Sequence, residues 1–168
     1  MNEHFHKCSF LGCGNLVARH RKTMFCYAVH IFLGGMDGPT DWRTHLAKSV
    51  SSRSPKTVKF HKSAKDESKD FDEFTDYLAT EVCADWRVYY IGDPNQRDTH
   101  QSACFEAGAS ANKSPKKTIV IFETMDLPHE DNVYNLRAYY DWLGRFPKAH
   151  ICSSVTDAVS ILRESIRS

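Results

Sequence analysis

The sequence predicts an α/β fold, a flavodoxin-like (Rossmann-like) three-layer sandwich around a five-stranded parallel sheet. Strand and helix patterns alternate from residue 25 onward, as they do when helices connect parallel strands. Residues 88–91 and 118–122 are continuous apolar runs, which is typical of strands that are buried on both faces. The 168 residues suffice for one such domain, and for so short a chain we expect the strand order 2-1-3-4-5.

The first half of the domain predicts a strand, a helix, a second strand and a second helix. Residues 25–33 are apolar and rich in β-formers, and two glycines end the strand. Thr40 or Asp41 can cap the first helix by accepting a hydrogen bond from its first turn. The second strand covers residues 57–60 and the second helix residues 66–83. The apolar positions at helical spacing are Trp42, Leu46 and Val50 in the first helix, and Phe71, Phe74, Leu78 and Val82 in the second.

The second half predicts three more strands and the helices between them. Residues 86–91 form the third strand, and a polar loop over residues 92–101 leads to a short helix that starts near Glu106. Residues 118–122 and 149–152 form the fourth and fifth strands. The helix between them has Val133, Leu136, Tyr140 and Leu143 at helical spacing, and the last helix, capped by Ser154, has Val155, Ala158, Val159, Leu162 and Ile166 on one face.

Charge and hydropathy narrow the range of partners. The 22 Lys and Arg residues nearly balance the 21 Asp and Glu residues, so we expect no nucleic-acid polymer and no anionic membrane surface as a partner. The longest apolar run, around residues 28–33, is too short to span a bilayer, and residues 1–23 lack the hydrophobic region of a secretory signal. The six cysteines show no framework spacing, which favours reduced thiols in a cytoplasmic protein.

Residues 1–24 are interpreted as a basic N-terminal extension, and residues 25–168 as the α/β domain. Six side chains in and next to the extension are of types that ligate metals, but the paired close spacing of a structural zinc site is absent. We therefore predict no metal. These side chains are His4, His6, Cys8, Cys13, His20 and Cys26.

The predicted strand order places a ligand crevice between the first and third strands, at their carboxyl ends. Three segments converge there, namely residues 34–40, residues 92–101 and the segment after Phe122. Gly34, Gly35, Met36 and Asp37 line the crevice in this interpretation, because small residues before a helix let backbone N–H groups approach an anion or a planar base.

Three segments resemble nucleoside 2-deoxyribosyltransferase-like proteins. Residues 30–43 (HIFLGGMDGPTDWR) resemble the first strand, small-residue loop and Trp-Arg pair of that family. Residues 84–90 (ADWRVYY) resemble its Ala-Asp pair followed by an apolar strand. Residues 105–109 (FEAGA), with residues 112–118 (NKSPKKT), resemble the nucleophile segment ahead of the fourth strand. The likeness covers roughly residues 28–166 and follows the predicted order of elements.

The resemblance implies cleavage of the N-glycosidic bond of a nucleoside, nucleotide or related N-riboside, by hydrolysis or base exchange, without a cofactor. Glu106 matches the family's nucleophile, and the candidates for the acid at the leaving base are Asp76 and, in the loop before Glu106, Asp93 or Asp98. Trp42, Asp93, His100 and Gly108 join the crevice residues as candidates for substrate binding. A homo-oligomer is also expected, because family members often complete their site across subunits.

The chain departs from the family pattern at two places. His100 stands where the family commonly has an Asp, and it can act in acid–base chemistry or cap the helix. Phe32 and Leu33 stand where the better-studied transferases have a Tyr, while Tyr89 and Tyr90 are interpreted as core residues. The alternatives to an enzyme are therefore a non-catalytic module that binds a nucleotide-like ligand, and a protein that retains only the fold.

Overall fold

The computed structural model describes residues 5–7, 16–18, 28–38, 41–62, 81–92, 97–123 and 129–167. Two short antiparallel strands precede the main domain, within the predicted extension. The elements are β1 (Phe5–Lys7), β2 (Leu16–Ala18), β3 (Val29–Gly35), α1 (Trp42–Ser51), β4 (Val58–Lys62), β5 (Trp86–Ile91), α2 (Arg97–Lys113), a short 3-10 helix (Pro115–Lys117), β6 (Thr118–Phe122), α3 (His129–Arg145), β7 (His150–Cys152) and α4 (Val155–Arg167).

The main sheet has five parallel strands in the order β4-β3-β5-β6-β7. Numbered along the domain, this is 2-1-3-4-5, so the predicted flavodoxin-like α/β fold is confirmed. β3 and β5 are central neighbours and pair from Ile31 opposite Trp86 to Gly35 opposite Tyr90. The order reverses between these two strands, so their carboxyl ends form the switch point of the sheet.

Helices cover both faces of the sheet. α1 and α4 pack against each other on one face, where the Arg163 guanidinium donates a 2.6 Å hydrogen bond to the Ser49 carbonyl. α2 packs on β3, β5 and β6, and a hydrogen bond joins its Ser110 to Thr118 of β6. The apolar face predicted for the last helix is confirmed by the burial of Val155, Ala158, Val159, Leu162 and Ile166.

Two predicted boundaries change in the first half of the domain. β3 starts at Val29 instead of residue 25 and continues through Gly34 and Gly35, which pair with Tyr89 and Tyr90 of β5. The predicted helix over residues 66–83 lies mostly outside the described residues, and residues 81–83 are helical, ending just before β5.

The start of α2 differs more. Residues 97–101 were predicted in a loop and Glu106 at a helix start, and both predictions are wrong because α2 begins at Arg97. The apolar side chains on its buried face are the small Ala103, Ala107 and Ala111, so the face lacks the large apolar residues that signal an amphipathic helix. Small side chains let the helix lie close to the sheet.

α3 exposes much of its apolar pattern. Trp142 and Asn135 are buried against the domain, whereas Val133, Leu136, Tyr140 and Leu143 are exposed to between 37% and 66%. None of the helices in the described part of the chain has the length and hydropathy needed to cross a membrane.

Candidate functional site at the sheet switch point

The end of β3 and the end of β5 approach each other unusually closely. Gly35 has a φ of +84°, and a Cβ placed on it would lie 2.3 Å from the Tyr90 carbonyl oxygen. The Met36 N–H continues the contact by donating a 2.8 Å hydrogen bond to that same oxygen. Glycine is therefore required at position 35, because any side chain would collide with the backbone of the neighbouring strand.

An ion pair fixes the loop that follows. The Arg43 guanidinium donates to Asp37 Oδ1 at 2.6 Å and to the Gly35 carbonyl at 2.8 Å. Arg43 is buried while the Asp37 side chain is 47% exposed, so the pair holds a solvent-facing carboxylate at the mouth of the crevice. Burial lowers the pKa of Arg43, and nearby Asp41 opposes that shift.

The first turn of α1 supports this arrangement. Asp41 caps the helix by accepting a 3.1 Å hydrogen bond from the Thr44 N–H, and the side chain and backbone of Thr44 lower the pKa of Asp41. The Trp42 indole donates a 2.9 Å hydrogen bond to the Met36 carbonyl. Trp42 and Met36 are each only 1% exposed, so they shape the loop from below and do not offer a surface to a ligand.

A second carboxylate lies at the end of β6. The Tyr90 hydroxyl donates a 2.7 Å hydrogen bond to Glu123 Oε2, and Asn135 Nδ2 donates to the Glu123 carbonyl at 3.1 Å. The Trp42 ring stacks on the Tyr90 ring with centroids 5.4 Å apart. Gly38 and Gly92 close over that ring, since a Cβ on either would come within 3.0 Å of it.

Sequence reasoning did not single out Glu123, although it placed the segment after Phe122 at the crevice. The available signal was a charged residue directly after a fully buried strand. The partner hydroxyl was interpreted as part of the core, and the Tyr90 side chain is indeed fully buried. Its oxygen nevertheless reaches the Glu123 carboxylate, so Tyr90 joins the core to the candidate site.

Glu106 lies midway along α2 and is partly buried. As the tenth residue of the helix it is about 14 Å along the axis from Arg97. Helical geometry places it about 120° around the axis from His100 and about 160° from Gly108. Gly108 faces α3, where a Cβ would lie 3.7 Å from Trp142 and 3.9 Å from Phe146. Glu106 therefore lies on the flank of α2 that faces away from α3.

The remaining predicted site residues lie in several parts of the fold. His100 is the fourth residue of α2, not a helix cap, and it lines a groove between α2 and α3. Asp76 and Asp93 lie outside the described residues, as does the side chain of Asp98. Gly34, Gly35, Met36 and Asp37 do lie together at the end of β3, where a Cβ on Gly34 would press on the rings of Tyr89 and Phe32.

Neither metal-ligating side chains nor similarity to known proteins assigns a function to the crevice. Across the described residues, no three His, Cys, Asp or Glu side chains lie close enough to hold a metal ion, while Cys8, Cys13 and Cys26 are outside that part. Comparison with protein-family models gives no match, and no curated protein matches the chain significantly. The resemblance to deoxyribosyltransferase-like proteins therefore stays a prediction from the motifs.

Proposed function

We propose that this protein cleaves the N-glycosidic bond of a nucleoside, nucleotide or related N-riboside, with Glu106 as the nucleophile. The observation that carries the proposal is the built crevice at the sheet switch point. There, a glycine loop and the fixed carboxylate of Asp37 lie at the end of β3. The fixed carboxylate of Glu123 lies at the end of β6, on the other side of β5. Ligands of open α/β sheets bind at this position.

The chemistry assigns a distinct task to each side chain. Glu106 attacks the anomeric carbon C1′, the C1′–N bond breaks, and the base leaves with the bonding electron pair and takes up a proton from its candidate acid, Asp76 or Asp98. Water then attacks C1′ and restores the Glu106 carboxylate, or a second base does so and completes an exchange. Asp37, held by Arg43, accepts hydrogen bonds from sugar hydroxyl groups at the mouth of the crevice.

The placement of Glu106 favours a second candidate function. Glu106 lies midway along α2, and the crevice is edged by residues at the ends of strands. If its carboxylate does not meet the sugar, the same crevice holds a nucleotide-like ligand without turnover. Binding without release of free base distinguishes this module from the enzyme.

The test is release of free base from a panel of nucleosides, 2′-deoxynucleosides and 5′-monophosphates, measured by chromatography. We expect Glu106→Gln to lower the rate by about three orders of magnitude or more, because the amide cannot act as an anionic nucleophile. Glu164→Gln is the matched control, since Glu164 is an exposed glutamate on α4. Turnover at the wild-type rate in Glu106→Gln would remove Glu106 from the mechanism.

The partitioning between hydrolysis and exchange follows from the residue that replaces the family's aspartate. His100 lines the groove toward α3, so no carboxylate at that position orients the acceptor base. Water then competes well with that base for the glycosyl group on Glu106. We expect free sugar to exceed exchanged nucleoside when one deoxynucleoside is supplied with an excess of a second base. Predominant exchange would contradict this expectation.

The proposal includes a cytoplasmic location and a homo-oligomer. Free thiols at Cys104 and Cys152 support the location, because thiols persist in reducing compartments. The exposed apolar side chains of α3 support the assembly, since such surfaces commonly mark protein contacts. Sedimentation of the purified protein tests the assembly directly.

A further inference from the structure

A groove of about 440 Å³ runs between α2 and α3. His100 and Cys104 line it from α2, and Tyr134, Arg137, Asp141 and Arg145 line it from α3. Its volume lies within the range of about 300–1,000 Å³ that small-molecule sites occupy. Its lining residues on α2 lie on the flank away from Glu106, and they differ from the residues described at the end of β3.

Aromatic side chains provide flat contact surfaces in the groove. Trp142 is 9% exposed and lies at its base, while Tyr134 is 53% exposed. The Tyr134 ring meets the buried His100 ring edge to face, with centroids 5.8 Å apart. This contact orients Tyr134 and leaves much of its surface open to a planar ring.

Among the described side chains that line the groove, two arginines face one carboxylate. Arg145 is paired with Asp141 at 2.9 Å, whereas Arg137 makes no ion pair or hydrogen bond within the described part of the chain. Burial raises the pKa of the Cys104 thiol to about 11, so this side chain is neutral at pH 7. Because Arg137 is exposed and has no ion-pair partner among the described residues, its guanidinium can hold a phosphate with two parallel hydrogen bonds.

We propose that the α2–α3 groove binds a 5′-mononucleotide, with its base against Tyr134 and its phosphate on Arg137. Asp141, next to Arg145, can accept hydrogen bonds from the amino groups of the base. This site does not depend on the proposed glycosidase, because neither Tyr134 nor Arg137 has a role in that proposal, and the Arg137→Gln variant reports on the groove alone.

The test is calorimetric titration of the full chain with adenosine 5′-monophosphate, adenosine and inorganic phosphate at low ionic strength, where exposed charges act most strongly. We expect the monophosphate to bind at least about tenfold more tightly than adenosine, and Arg137→Gln to remove that advantage. Tyr134→Ala is expected to weaken both ligands. Inorganic phosphate alone is expected to bind more weakly than the monophosphate, because it makes no contact with Tyr134.

Two control variants locate the site. Arg53→Gln removes an exposed arginine in the turn after α1, and Glu164→Gln removes the charge of an exposed glutamate on α4, so both should bind the monophosphate as the wild type does. The proposal is overturned if the wild type binds no monophosphate at millimolar concentration, or if Arg137→Gln binds it equally well.

Discussion

Replacing Gly35 by alanine tests whether β3 and β5 are held as closely as the structure shows. The new methyl group would be placed 2.3 Å from the Tyr90 carbonyl oxygen and 2.6 Å from the Tyr90 nitrogen. Both atoms belong to the backbone of a central strand, so no side-chain rotation relieves the collision. The φ of +84° adds a second cost, because residues with a Cβ disfavour this conformation.

The expected loss of stability is about 3 kcal/mol or more. Left-handed backbone costs a residue with a Cβ about 1–2 kcal/mol. Moving the strand end away from Tyr90 would also break the hydrogen bond from Met36 to the Tyr90 carbonyl, which contributes about 1 kcal/mol, and would loosen the packing around it. The free energy of unfolding of a domain of this size is typically about 5–15 kcal/mol. The variant should therefore fold, but it should unfold at a clearly lower urea concentration than the wild type.

The assay is urea unfolding followed by far-ultraviolet circular dichroism, which reports on the whole domain. Gly144→Ala is the matched control, because a Cβ on Gly144 meets nothing within 4 Å and the residue lies in α3. That change should raise stability by about 0.5–1 kcal/mol, as alanine favours helix more than glycine does. A loss below about 1 kcal/mol in Gly35→Ala would refute the close approach of the two strands.

Three further changes test the packing and electrostatics. Burial, and then the nearby His30, lower the pKa of His61 to about 4. Between about pH 6.5 and pH 4 the unfolded chain therefore binds a proton at His61 that the folded chain does not. The contribution of His61 to the free energy of unfolding should be complete above about pH 6.5 and should be lost as the pH falls toward 4. Because His61 is partly exposed, this loss should be about 1–2 kcal/mol, and urea unfolding of His61→Gln at pH 7.5 and 5 should show a smaller difference than the wild type. Tyr90→Phe should cost about 1 kcal/mol by removing the hydrogen bond to Glu123, and unchanged urea midpoints would contradict that contact. Leu162→Ala should cost about 3 kcal/mol because the side chain is fully buried; a change within error in the same assay would mean that α4 is not packed as described.

Local patterns allowed the sequence to predict most of the fold. Asp41 caps α1 and the buried positions of α4 follow helical spacing, since both features depend on residues within a few positions of each other. The predicted start of α2 lies too far along the sequence, because the buried apolar side chains of this helix are alanines, which give no clear amphipathic pattern. The strand order could be predicted because few parallel arrangements suit five short strands.

The candidate site was less predictable because its contacts join distant residues. Tyr90 and Glu123 are 33 positions apart, and nothing near either residue in the sequence indicates that they meet. The positive φ of Gly35 follows from the position of the neighbouring strand, which a single segment does not reveal. The nucleophilic role of Glu106 stays a prediction.

The contact between α1 and α4 affects how the chain can fold while it is being made. α1 leaves the ribosome well before α4, and Arg163 of α4 donates a hydrogen bond to the carbonyl of Ser49 in α1. Until α4 emerges, the surface of α1 that packs against it and the part of the sheet beneath it have no cover. The nascent chain therefore exposes this apolar surface to chaperones while the residues between α1 and α4 are being made.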